Sequence, residues 1–236
     1  MNNENTDLFS KGKVLLIDKP PEWTSFDVVN KIRNTIKKYG NIKKIKVGHA
    51  GTLDPLATGL LIICTGKFTK KIEEYQAQEK EYTGKITLGI TTPSYDLETN
   101  VDNTFPTTHI TEELILETAE KMEGNILQTP PAFSAKKVDG ETAYIAARKG
   151  RKVALKPNPV TIYNFDIVKI KLPDVYFRIV CSKGTYIRSI AHDFGKFLQS
   201  GGCLSELRRT RIGNYSVEDA WSIEQAVKNI QETFYG

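Results

Sequence analysis

Apolar positions along the chain fall into two rhythms, and the switches between them predict the elements. "KVLLIDKP" (Lys13–Pro20) is a short apolar run that stops at Pro20-Pro21, which predicts a strand. Thr24 then precedes Asp27 at capping-box spacing, and Phe26, Val29, Ile32 and Ile36 mark a helical stripe that closes near Gly40. "GLLIICTG" predicts a buried segment and "KFTKKIEEYQAQ" a helix. In "EYTGKITLGI", Tyr82, Ile86, Leu88 and Ile90 alternate with smaller or polar residues, so one face of a strand is apolar.

Residues 91–108 are rich in Thr, Asp, Asn and Pro and predict a loop. Thr111 opens a helix carrying Leu114, Ile115, Ala119 and Met122, ending at Gly124, and "ETAYIAARKG" predicts a short helix ended by Gly150. The strands "VTIYNFDIVKIKL" and "VYFRIVCS" are joined by a Pro-Asp turn. A helix with Ile187, Ile190, Ala191, Phe194 and Leu198 on its buried stripe follows, then a strand near Cys203–Arg211 and a helix from Ser222. Strands in adjacent runs with irregularly interspersed helices predict an α+β fold. Its central sheet is mixed and largely antiparallel with flanking helices, not doubly wound and parallel. No repeat, low-complexity tract or linker interrupts the pattern, so a frayed tail over 1–12 and one domain over 13–236 are expected.

Hydrophobic residues at 39% and charged residues at 26% place the chain among ordinary globular proteins. No apolar run approaches the roughly 18–20 residues that span a bilayer, and the start lacks the basic-then-apolar order of a signal peptide, so a cytoplasmic protein is expected; with nothing resembling a coiled coil or a long exposed apolar stripe, a monomer is expected. The three cysteines, Cys64, Cys181 and Cys203, are far apart, and no C-x-x-C, H-x-x-x-H or H-E-x-x-H pattern occurs, so neither a disulfide framework nor a metal site is expected. The net charge of +5 is mild, but it gathers at Lys37, Lys38, Lys43, Lys44 and Lys46, at Arg148, Lys149, Arg151 and Lys152, and at Arg208, Arg209 and Arg211. Each group alone reads as a solvated face; three together point toward nucleic acid.

The chemistry gathers in "VGHAGTLDPLATGLL" (Val47–Leu61), where one carboxylate, Asp54, precedes Pro55 in a glycine-rich loop behind His49. Proline disfavours helix at the preceding residue, so Asp54 is either a turn former or a carboxylate working alone. The loop lacks the spacing of a phosphate loop or a dinucleotide-binding turn, which excludes kinase and dehydrogenase readings. In "SKGTYIRSI" a strand end leads into a helix start, and Arg188 lies in the first turn, where the helix dipole disfavours a cation. Either it is a surface arginine or it has a carboxylate or phosphate partner. Tyr82 and Tyr186 are either core residues or rings on which a base can stack.

"VGHAGTLDPLATGLLIICTGKFTK" resembles the catalytic motif of the TruB family of tRNA pseudouridine synthases. In the same order, "LLIDKPPEWTSFDVV" resembles the family's Lys-Pro motif and "KEYTGKITLGITTPSYD" its stacking-tyrosine strand. "QTPPAFSAKKVDGETAYIAARKG" resembles its proline-containing segment, "CSKGTYIRSIAHDFG" its arginine motif, and "LSELRRTRIGNY" follows at the usual place.

The resemblance implies an isomerase without metal or cofactor, acting on the uridine at position 55 in the T arm of tRNA. It implies Asp54 as the catalytic aspartate and Arg188 as its paired arginine. It casts Tyr82 as the ring that stacks on the flipped uracil and His49 as the residue that fills the space vacated in the RNA loop. It likewise implies Tyr186 and Leu207 as lining the uridine pocket, with Lys19 among the surrounding basic residues. The chain departs from the family's Thr-Asp-Thr-x-Asp pattern with Thr92-Pro93-Ser94-Tyr95-Asp96, and it reads as a short form without the C-terminal PUA domain. The competing reading is a non-catalytic RNA-binding protein that helps tRNA fold; Asp54 and Arg188 in register favour the enzyme.

Overall fold

A computed structural model describes residues 8–134, 136–138, 140–151 and 154–235. The chain divides into two compact units, Met1–Glu81 with Arg208–Gly236, and Tyr82–Leu207. Its principal elements are, in order, β1 (Val14–Lys19), α1 (Ser25–Tyr39), β2 (Val47–His49), β3 (Thr58–Thr65), α2 (Ile72–Ala77) and β4 (Lys80–Leu88). There follow α3 (Glu112–Lys121), β5 (Gly124–Gln128), α4 (Ala143–Arg148), β6 (Asn158–Lys171) and β7 (Asp174–Cys181). The last are α5 (Ile187–Phe197), β8 (Gly202–Ile212) and α6 (Ile223–Tyr235). The α+β class and the largely antiparallel sheet expected from the pattern are what the strand pairing shows.

In the first unit β3 is the central strand. It pairs antiparallel with β1 from Val14↔Cys64 to Lys19↔Gly59 and with β2 through His49↔Ile63, and parallel with β8 through Arg209↔Gly59. Both faces of β3 are covered, which explains its uninterrupted apolar run. Leu61 and Ile63 pack with Ile17, Val28, Ile32, Ile36 and Ile230, while Leu60, Ile62 and Cys64 pack with Ala50, Ile212 and Val217. Helix α1 starts in the expected capping box, with Thr24 Oγ1 accepting from Asp27 N–H and Asp27 accepting from Thr24 N–H.

The expected helix "KFTKKIEEYQAQ" is split into a 3-10 segment, Gly66–Lys71, and the single-turn α2. Gly66 has φ +52° and a Cβ there would lie 2.2 Å from the Ser10 carbonyl oxygen, so the chain turns tightly before the helix can begin. Of the tail expected to fray, residues 1–7 lie outside the described residues; Phe9 is buried and packs against Phe234.

In the second unit the sheet order is β8 (residues 202–207), β4, β7, β6, β5. β6 and β7 form the expected hairpin, from Ile162↔Cys181 to Lys171↔Asp174. Phe165, Phe177 and Phe194 meet edge to face or tilted, and Phe194 comes from the apolar stripe of α5. The edge strand β5 carries little apolar alternation, and Leu127 on it is exposed; it joins the sheet through its backbone pairing to Asn158–Ile162. The expected loop 91–108 contains one short pairing, Ile90–Thr91 with Asn103–Thr104. Cys64, Cys181 and Cys203 are all buried, as small core hydrophobes. Among the described residues no helix is long and apolar enough to cross a membrane.

Candidate active site

Asp54 sits on the loop between β2 and β3, and its neighbours on either side are fastened. Leu53 is buried, and its N–H donates to Ser25 Oγ (2.9 Å), which in turn donates to the Leu53 carbonyl (3.2 Å). On the other side the Pro55 carbonyl accepts from Glu22 N–H (2.9 Å) and from Lys19 Nζ (3.1 Å). Ala57 N–H donates to the Asp54 carbonyl, closing the turn that Pro55 initiates. Asp54 itself is half-buried.

Lys19, the last residue of β1, is fully buried. Its ammonium donates to three carbonyls, of Trp23 (2.6 Å), Pro20 (2.9 Å) and Pro55 (3.1 Å), so all its protons are used. Burial lowers its pKa from 10.5 to about 8; the Asp54 carboxylate pulls it back up and the Arg209 guanidinium pushes it further down. His49, at the end of β2, is half-buried and its pKa is also lowered, first by burial and then by Arg209. The imidazole is therefore neutral at pH 7.

The remaining expected residues lie in the second unit. Arg188 lies in the first turn of α5 and is buried, which removes the surface reading; a carboxylate meets it, with Nε 3.6 Å from Asp96 Oδ2, and Nη1 donates to the Ser94 carbonyl (3.2 Å). Asp96 is held in turn. Its carboxylate accepts from Glu98 N–H, and its carbonyl accepts from Thr92 Oγ1 (2.6 Å) and Ser94 Oγ (3.1 Å). Thr92 and Ser94 thus do local work in the segment that departs from the family pattern. Tyr95, at φ +66°, stacks on His192, one turn along α5 from Arg188, with ring centroids 3.9 Å apart.

Tyr186 caps α5, and the buried side chain of Gln128 bonds both its N–H (2.8 Å) and its carbonyl (3.1 Å). Tyr82 is 8% exposed within β4, and Leu207 is half-buried in β8. The structure thus gathers Asp54, Lys19 and His49 in one unit, and Arg188, Tyr186, Tyr82 and Leu207 in the other. Ser25, Gln128 and Arg209 went unread as contributors. Ser25 is the first residue of a predicted helix, and nothing in its spacing tells that its hydroxyl points at Leu53.

The three basic groups differ in what they meet. Arg148, Lys149 and Arg151 approach Glu98 or Glu141, while Lys152 lies outside the described residues. Arg208 pairs with Asp18 and Arg211 with Glu79 and Glu81, while Arg209 is buried. Those two groups meet carboxylates of the same chain, mostly at the surface. Lys43, Lys44 and Lys46 are exposed, and Lys44 and Lys46 line a shallow pocket of about 310 Å³ with Lys67 and Lys70.

The fold is that of pseudouridine synthases. The chain is similar to a crystal structure of a Cbf5–Nop10–Gar1 complex, with a TM-score of 0.71 and 28% identity over 97% of this chain and 61% of that one. It is also similar to a structure of an H/ACA RNP bound to a substrate RNA containing 2′-deoxyuridine, with a TM-score of 0.67 and 28% identity. That match covers 94% of this chain and 54% of the other, so the chain spans between half and two thirds of these solved relatives.

The family described as TruB family pseudouridylate synthase (N terminal domain) matches residues 37–187, and the tRNA pseudouridylate synthase B C-terminal domain matches 188–233. The chain belongs to the TruB family of pseudouridylate synthases. It is 57% identical to the tRNA pseudouridine synthase B of Flavobacterium johnsoniae over 94% of this chain and 98% of the relative. Against the proteins of the same name from Phocaeicola vulgatus and Bacteroides thetaiotaomicron, identity is 55% over 92% of both chains, and 50% over 95% of this chain and 98% of the relative.

Proposed function

We propose that this chain isomerises uridine to pseudouridine at position 55 in the T arm of tRNA, with Asp54 as the catalytic carboxylate. The observation that carries the reading is the fastening of the Asp54 loop by Ser25 and Lys19 on its two sides. It immobilises a single carboxylate beside a buried cation, which is how a lone acid stays ionised and oriented. The near full-length similarity to proteins named tRNA pseudouridine synthase B supports tRNA as the substrate.

In this reading the target uridine leaves its stack, at an expense of a few kcal/mol returned by pocket contacts. Tyr82 stacks on the uracil, Tyr186 and Leu207 line the pocket, and neutral His49 fills the space the base vacates. Asp54 attacks C1′ and displaces N1, or removes the C2′ proton as N1 leaves to give a glycal. The uracil turns, C5 bonds to C1′ as the Asp54 ester is displaced or the proton returns to C2′, and the C5 proton passes to solvent. Exposed Lys43, Lys44 and Lys46 offer the phosphate backbone a counter-charge.

The test is tritium release from a T-arm stem-loop labelled at uridine C5. Wild type should release label, and Asp54→Asn should be slower by about 10⁴-fold or more, the scale of losing a reacting group. Full-length tRNA is the second substrate. No release from wild type on either RNA, or release unaffected by Asp54→Asn, overturns the reading.

A further inference from the structure

Two ends of the Asp54 loop meet at one buried side chain. Arg209, in β8, is 1% exposed; its Nε donates to the Leu60 carbonyl (2.8 Å) and its Nη2 to the Gly51 carbonyl (3.1 Å). The loop also closes on the Arg209 backbone. Gly59 pairs with it in register at φ +103°, and a Cβ there would lie 2.3 Å from the Arg209 carbonyl oxygen. Gly51, at φ +97°, turns its carbonyl toward the guanidinium in a conformation that L side chains rarely adopt.

We propose that Arg209 is a positioning residue for catalysis, a clasp whose forked guanidinium fixes the entry and exit of the loop that carries Asp54. This rests on the reading of Asp54 as the reacting group. A guanidinium suits the task because its N–H groups diverge in a rigid plane and reach two carbonyls at once, whereas an ammonium is a single point donor. The bonds run to carbonyls, which solvate the charge without cancelling it. The uncancelled field is felt at His49 and Lys19, both of whose pKa values it lowers. Arg209 thereby fixes the geometry of the loop and adds to the lowering that burial begins at its neighbours.

The experiment compares Arg209→Ala and Arg209→Lys with wild type in the full chain. Three readouts are taken: single-turnover tritium release over a range of stem-loop concentrations, amide hydrogen exchange at Leu53 and Ala57, and the His49 titration by NMR. For Arg209→Ala we expect the saturating rate to fall about 10–100-fold with half-saturation changed less than threefold. Exchange should speed up at both amides, the His49 pKa should rise, and added methylguanidinium should restore rate and protection. Arg209→Lys should keep the His49 pKa near wild type but recover the rate only in part, since one ammonium cannot bridge both carbonyls as well.

Wild-type rate and wild-type protection in a folded Arg209→Ala or Arg209→Lys protein overturn the clasp. So does a rate loss without faster exchange or any response to methylguanidinium. If wild type itself releases no tritium, the functional reading falls, and exchange at Leu53 and Ala57 alone decides whether Arg209 closes the loop.

Discussion

The Asp54 loop and the corner around Arg188 both bury cations, and they satisfy them in opposite ways. Around the loop, Lys19 and Arg209 donate to backbone carbonyls: Pro20, Trp23 and Pro55 for one, Gly51 and Leu60 for the other. In the second unit, Arg188 lies against the equally buried carboxylate of Asp96. A cation solvated by carbonyls keeps its field, and here the field lowers the pKa of His49. A cation beside a carboxylate is opposed by that charge, and the contact holds Asp96 in place. Both arrangements fix a loop, and the first also leaves a field that adds to the lowered pKa values nearby.

Removing each cation breaks the comparison most directly. Arg188→Met leaves the Asp96 carboxylate buried without its cation, which costs about 3–5 kcal/mol. Arg209→Met leaves carbonyls short of donors, neutral groups whose loss is about 1–3 kcal/mol. Urea unfolding midpoints at constant m should therefore fall further for Arg188→Met. Equal losses would mean that the Asp96 contact is not what makes Arg188 costly to remove.

One side of this contrast was partly legible before any coordinates. Arg188 stands where the α5 dipole disfavours a cation, which left either a surface arginine or one with an anionic partner; the structure supplies Asp96. The capping box at Thr24 and the hairpin at Pro173 follow from side-chain chemistry within a few residues. Arg209 was not legible. Its carbonyl partners lie 149 and 158 residues away in sequence, and composition cannot tell a guanidinium inside β8 from one in solvent. Ser25 and Gln128 were missed for the same reason, since each bonds backbone brought close by tertiary structure alone. β5 was missed because its strand character lies in backbone pairing to β6, which an exposed Leu127 does not advertise.

Lys19 sharpens the comparison through pH. With a folded pKa of about 8, well below its ordinary value of 10.5, the buried ammonium disfavours folding. That penalty is fully present below pH 8 and is relieved as pH rises from 8 to 10.5, so the Lys19 contribution to stability increases over that range. Activity should move the other way. Above pH 8 the neutral amine has two protons for three carbonyls, so the Pro55 side of the loop loosens and the field on Asp54 weakens. Saturating rates should fall by up to about tenfold per pH unit above 8, while melting temperature does not fall in parallel. Lys19→Arg, which stays charged, should lose that alkaline limb.

The smallest expected effect comes from the arginine next door. Arg208 and Arg209 are adjacent in β8, where successive side chains point to opposite faces. Arg208 makes a bidentate pair with Asp18, at 2.7 and 3.0 Å, but the side chains are 40% and 33% exposed. Water competes for both partners, so Arg208→Ala should lower stability by at most about 1 kcal/mol. That loss should shrink between 50 mM and 500 mM salt, because an exposed pair is screened. The effect of Arg209→Met should not change over the same range, since its partners carry no net charge and lie out of reach of counterions. If salt erodes both losses alike, the guanidinium of Arg209 is solvated by water instead of by the loop, and the division between a surface pair and an internal clasp fails.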